Sequence, residues 1–180
     1  MRILDVGCGP IGKKPGAIGL DKRPAPHVDV VHDLNVYPYP LPDDEFDWIE
    51  ASHILEHVDR PLQLLNELHR VAKNGATIRI ITPHYASQLS YGDFEHYHHF
   101  GYVTFRTLQN TGFFRLKKHR LHFTDLYRVL GIGLLANRFP RRWEKYLAFV
   151  LPALYVEVFL EVVKKKDDAP GSLVDRYMYQ

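Results

Sequence analysis

Cysteine is almost missing from this 180-residue chain: Cys8 stands alone. An internal disulfide is excluded, and the composition fits a reducing compartment, so a cytoplasmic location is expected. An excess of one charge is also missing. Lys and Arg number 23 against 21 Asp and Glu, a net +2 with His neutral. That is too little to argue for a nucleic-acid partner, although local patches can still matter. Long uncharged apolar runs are absent. The most apolar stretch, 146–163, is broken by Pro152, Glu157 and Glu161. A membrane span needs about 20 nearly uncharged apolar residues, so no transmembrane segment is expected. Nor is a signal peptide, because the chain enters a strand-like run at Ile3. Repeats and low-complexity tracts are lacking too. What remains is ordinary for a globular protein: 46% apolar and 24% charged residues. The expectation is one domain over 1–164, with 165–180 as a loose C-terminal tail.

The organising stretch is Ile3-Leu4-Asp5-Val6-Gly7-Cys8-Gly9-Pro10. A buried strand runs into a glycine turn where a ligand can lie against bare backbone. Gly7, Gly9 and Gly12 match G-x-G-x-x-G, the dinucleotide fingerprint. That fingerprint requires a helix at the loop to hold a pyrophosphate. Here residues 10–16 carry two prolines and two glycines and cannot form one. Asp21 also falls closer than the expected ribose-binding acid. NAD is therefore disfavoured. S-adenosylmethionine (SAM) has no phosphate. It asks only for a glycine turn and carboxylates for its ammonium and ribose hydroxyls.

Leu4-Asp5-Val6-Gly7-Cys8-Gly9 resembles the first motif of the class I SAM-dependent methyltransferases. The likeness continues in Ser52-His53-Ile54-Leu55-Glu56-His57-Val58 and in the turn Arg70–Gly75. The resemblance implies an α/β, Rossmann-like, mostly parallel sheet in the order 3-2-1-4-5-7-6. It implies SAM as cofactor and a set of contacts for it: Asp5, Gly7, Cys8 and Gly9 in the loop, Asp21 on both ribose hydroxyls, Asp33 on the adenine amino group, Leu34 on the ring and Ser52 beside the methionine part. Cys8 reads as a small residue for a tight loop, since no base accompanies it.

Strands are expected at Ile3–Val6, Ala17–Asp21, Val28–Asn35, Phe46–Ser52, Ala76–Thr82, Phe114–Phe123 and Tyr155–Val163. The last is read from its alternating apolar pattern. Arg60–Lys73 has Leu62, Leu65, Leu68 and Val71 on one helical face, with Asp59 as N-cap and Gly75 as stop. A further helix is expected over Val103–Asn110.

Several crossover helices look missing: the connections between the first four strands are too short or too proline-rich. A parallel sheet normally buries both faces, so something should cover the first strands. The candidate is the apolar helical insertion 126–151, with Arg138, Arg141, Arg142 and Lys145 around Trp143. Three fates are open to it: packing on its own sheet, a homodimer interface, or peripheral contact with a membrane or lipid-like acceptor.

The 11 histidines cluster. His53, His57, His84 and His96 all fall after strand ends and are the candidate general bases for a hydroxyl acceptor. Asp93, His96 and His99 have ligand-type spacing, but the loop is too aromatic to be a helix, and no metal is assigned. Two readings follow: a methyltransferase for a small-molecule, glycan or lipid-precursor acceptor, or a non-catalytic SAM-binding interaction module. Nucleic acid is disfavoured as substrate, with no stacking platform in view.

Overall fold

The structure, a computed structural model, describes residues 1–9 and 12–164; the expected tail lies outside them. Seven strands form one sheet: β1 (Ile3–Val6), β2 (Ala17–Asp21), β3 (Val30–Val31), β4 (Phe46–Ser52), β5 (Ala72–Pro83), β6 (Phe114–His122) and β7 (Tyr155–Val162). Their order is β3-β2-β1-β4-β5-β7-β6, parallel except for β7. This is the order expected from the sequence.

One face is the core. Leu4 and Val6 of β1, Ile49 and Ala51 of β4, Ile78 and Ile80 of β5, and Val158 and Leu160 of β7 are fully buried. They pack with α1 (Pro61–Val71), whose buried residues include Leu64, Leu65 and Leu68. Pro61 sits at the first helical position, where its missing N–H costs nothing. Asp59 does not cap this helix. The N-cap is Arg60, without a side-chain hydrogen bond, and the Asp59 N–H donates to Asn35 Oδ1 at 2.9 Å. Gly75, at φ +81°, lies within β5 rather than ending the helix, because extended pairing with β4 resumes at Ala72.

The third strand is shorter than the sequence implies. Asp29 Oδ2 accepts the Gly19 N–H at 2.7 Å, and this side chain occupies a donor that ladder pairing would use. Only Val30–Val31 pair as strand. In place of a helix before β4, the loop 36–42 packs inward. Tyr39 is buried, donates its hydroxyl proton to the Leu34 carbonyl and gives its backbone N–H to Glu67. Arg70 clamps that loop by donating to the Leu41 and Tyr39 carbonyls while pairing with Glu67 and Asp43.

Covering the opposite face was one of the three fates open to 126–151, and it is not the one the fold adopts. After α2 (Gln88–Tyr91) and α3 (Tyr102–Thr107), that segment forms α4 (Asp125–Val129), α5 (Ile132–Arg138) and α6 (Pro140–Tyr146), which pack on β6 and on α3 at the far edge of the sheet. The open face instead carries a charge ladder. Glu50 pairs with Lys14, Arg79 and the Trp48 indole; Arg79 pairs on with Glu157; and Glu157 bonds His122 at 2.9 Å. Burial pushes the Glu157 carboxyl up, but hydrogen bonds from His122 and Arg79 outweigh it and hold it low. The Glu50 and Glu157 carboxylates are buried and paired, while Arg79 and His122 stay partly open to water.

Trp143 and Glu144 anchor the insertion. Trp143 is buried, and Glu144 accepts the backbone N–H groups of Tyr102 (2.6 Å) and Val103 (3.0 Å) at the start of α3. Its outer side stays apolar and exposed: Leu126, Val129, Leu134, Phe139, Tyr146 and Phe149 all face solvent.

Candidate functional site

A cleft opens at the carboxyl ends of β1, β2 and β4, where ligands settle in open α/β sheets. Gly7, Gly9, Asp21, Asp33, Leu34, His53 and His57 line it, with Lys22, Arg23 and Glu95. The glycine turn is held in a conformation that only glycine adopts easily. Gly7 has φ +67° and Gly9 φ +65°. A Cβ on Gly7 would also overlap the Ile54 side chain. Gly7 N–H donates to the Leu20 carbonyl at 2.7 Å, and Gly9 N–H donates to Asp21 Oδ2 at 2.8 Å. The Asp21 carboxylate therefore stitches the loop to the tip of β2, and its other oxygen accepts the Arg23 N–H at 2.9 Å. Each carboxylate oxygen has a second acceptor position left.

Asp33 forms an Asx turn by accepting the Asn35 N–H at 2.9 Å, and it is exposed to the cleft. Leu34 beside it supplies an apolar wall. Three expected contacts stand outside the lining. Asp5 turns its carboxylate to the Lys14 N–H, 2.6 Å away, and so closes the loop from behind; burial raises its carboxyl above the usual range. Cys8 lies behind the turn, its thiol pushed up by burial. Ser52 ends β4 opposite Ile81, outside the residues that line the cleft.

The histidines separate into two environments. His53 is exposed at the rim and held at φ +56°, a left-handed conformation uncommon for a non-glycine residue. Such local strain collects at functional sites. His53 Nδ1 lies 3.2 Å from Glu56 Oε1, and Glu56 Oε2 accepts the Thr82 hydroxyl at 2.9 Å. His57 and His96 meet edge to face, ring centroids 4.6 Å apart, beside them. His84 is elsewhere. It is completely buried, 3.3 Å from Glu144, with Tyr85 and Trp143 around its ring. Asp93, His96 and His99 are not brought together as a ligand set. His99 bonds Ser90 Oγ at 2.8 Å and stacks on Tyr91.

Glu56 and Thr82 are what sequence reasoning missed. Glu56 is 1% exposed and touches His53 directly. The signal was its place three residues after His53 in a segment leaving a strand end, with a polar threonine at the next strand's tip.

Residues 14–80 match the family model described as methyltransferase domain. A demethylmenaquinone methyltransferase from Lysinibacillus sphaericus (strain C3-41) is 38% identical over 56 residues, 31% of this chain. The match spans only 24% of that relative. A SAM-dependent methyltransferase from Archaeoglobus fulgidus superposes with a TM-score of 0.65 at 23% identity, covering 89% of this chain and 85% of its own. The [4+2]-cyclase SpnF superposes at 0.59 with 16% identity, over 91% of this chain and 75% of its own. The shared architecture thus carries more than one named activity.

Proposed function

In a chain that carries the class I SAM-dependent methyltransferase fold, we propose that the glycine-turn cleft binds SAM and that the protein methylates a small, lipid-like acceptor through its hydroxyl. The observation that carries this is the convergence on one cleft of a bare glycine turn, two strand-tip carboxylates and a carboxylate-oriented histidine. The relatives' methyltransferase names support the reading. Asp21 is assigned to the ribose hydroxyls, Asp33 to the adenine amino group, and Leu34 to the ring. Gly7 and Gly9 let the cofactor approach the main chain.

When bound, SAM supplies an electrophilic methyl group on a sulfonium, and the sulfur keeps the bond's electron pair as the methyl leaves. The protein has to align the acceptor, exclude water and receive one proton. His53 is assigned that proton. Its Nδ1–H donates to the buried Glu56 carboxylate, which fixes the tautomer and leaves Nε2 as the accepting atom. Thr82 holds Glu56 from the other side. His84 is given no part, because it is sealed from the cleft.

The lipid-like acceptor is supported by the insertion. Arg138, Arg141, Arg142 and Lys145 have no ion-pair partner among the described residues, and they border exposed Leu134, Phe139 and Tyr146. Two copies joined through this face would bring like charges together. An anionic bilayer surface complements it. No helix among the described residues is long and apolar enough to cross a membrane. The location proposed is the cytoplasm, at a membrane surface.

The test is calorimetry with SAM and with NAD, followed by detection of S-adenosylhomocysteine release with hydroxylated lipid precursors. Binding of SAM but not NAD, with turnover, supports the reading. SAM binding without turnover across acceptors returns the protein to a non-catalytic module, and the absence of SAM binding ends both.

A further inference from the structure

We propose that Glu56, His57 and His96 form a binding site for a divalent transition-metal ion at the rim of the cofactor cleft. One ring nitrogen from each histidine and one carboxylate oxygen of Glu56 lie within 4.8 Å of one another. Two imidazoles and a carboxylate are the ligand set of catalytic zinc and of the facial-triad metals, with coordination positions left for water or substrate.

The surroundings fit ligands rather than loose surface groups. His57 Nδ1 lies 3.1 Å from the Glu95 carbonyl, and His96 Nδ1 lies 3.3 Å from the Ser90 carbonyl. Carbonyls only accept, so each ring carries its proton on Nδ1 and presents an Nε2 lone pair. Metal-ligating histidines are oriented by this kind of second hydrogen bond. Glu56 is buried, and its two oxygens each take one hydrogen bond, from His53 and Thr82. A carboxylate offers about four acceptor positions, so two remain. The main chain holds the two halves of the site together. The Glu56 carbonyl accepts the Tyr97 N–H at 2.8 Å, which fixes the loop bearing His96 against the segment bearing His57.

His57 also lines the cleft, so an ion held here would sit beside the space assigned to SAM. An acceptor hydroxyl bound there loses its proton more readily, and His53 stands ready to take it. That role rests on the methyl-transfer reading; the metal site itself does not.

The experiment uses the full chain, stripped with chelator, and reads Zn2+ and Co2+ binding by calorimetry, metal analysis and the visible absorption of bound cobalt. One equivalent is expected. His57→Gln and His96→Gln should each weaken binding at least ~10-fold, while His99→Gln leaves it unchanged. A melting curve for every variant separates lost binding from lost fold. No stoichiometric binding by the wild-type protein overturns the site. So does stoichiometric binding that both His57→Gln and His96→Gln leave intact. SAM calorimetry on the stripped protein keeps the two ideas apart. SAM binding without metal binding overturns only the metal site. Metal binding without SAM binding supports this site and sinks the methyl-transfer reading.

Discussion

Glu56 holds His53 by a 3.2 Å contact to Nδ1, and it does so from a buried position while His53 remains exposed. A fixed acceptor beneath an accessible imidazole is the arrangement of a base whose second nitrogen is kept for substrate. Replacing His53 with asparagine suits the backbone, since asparagine tolerates positive φ, but removes the base. His53→Asn should lower kcat by about 10²- to 10⁴-fold with SAM affinity unchanged. Unaltered kcat in this variant would remove His53 from the reaction.

Asp21 serves the loop and, by proposal, the cofactor. Asp21→Ala should weaken SAM binding at least ~10-fold, the scale of one charge-assisted hydrogen bond. Gly7→Ala should be as damaging for another reason, positive φ and overlap with Ile54. Gly7→Ala combined with Ile54→Ala should restore only part of the affinity, because trimming Ile54 relieves the overlap and not the backbone strain. Calorimetry on the four proteins decides it; full restoration in the double variant would show that the turn's left-handed geometry is unimportant.

His119 gives the protein an acid sensitivity. Its ring stacks on Tyr102 at 4.1 Å, and neither ring nitrogen has a hydrogen-bond partner among the described residues. Burial lowers its pKa from 6.5 to about 4. Between those values the unfolded chain binds a proton that the folded chain refuses, so stability falls as pH falls. The contribution is fully present above pH 6.5 and is lost progressively toward pH 4. It amounts to at most about 3 kcal/mol. Thermal melts of the wild type and His119→Phe at pH 7 and pH 5 should show a smaller acid loss in the variant. Equal losses would assign the sensitivity to other groups.

The insertion should bind vesicles containing anionic lipid and ignore neutral ones. Each cation near such a surface contributes about 1 kcal/mol. Replacing Arg138, Arg141, Arg142 and Lys145 together with alanine should therefore lower affinity by about 10²-fold or more, and added salt should mimic the change. Sedimentation with vesicles measures this. Light scattering that finds a stable dimer, together with no vesicle binding, would reassign the face to self-association.

The glycine turn was legible in the sequence because it is written in contiguous residues: an apolar run, a glycine pair, an acid at a strand end. The sheet order followed from the resemblance to the class I methyltransferases. Gly7 and Gly9 at the cleft follow from the same local grammar, whereas Asp21, Asp33 and Leu34 were placed there by the resemblance. What escaped was assembled across strands. Glu50, Arg79 and Glu157 meet only after β4, β5 and β7 align. Yet a clue was present. Thr77 and Arg79 alternate with Ile78 and Ile80, as Glu157 and Glu161 do with Val158 and Leu160. That period of two says that one face is polar. The expectation that a parallel sheet is covered on both sides overrode it, and so one of the three fates left open to the insertion was a place it does not occupy. His84 was misjudged in a related way, since following a strand end says nothing about which neighbour seals a side chain in.

The loops that replace crossover helices between β1 and β4 leave that end of the sheet thinly supported. β3 contributes only two paired residues, and the loop after β1 is tied down by few contacts: Asp21 and the Leu20 carbonyl at the glycine turn, and Asp5 at Lys14. A nucleotide seated there would act as a structural strut. Hydrogen exchange in that quarter should slow sharply on ligation while the β5–β7 end hardly changes, making occupancy and rigidity one and the same event.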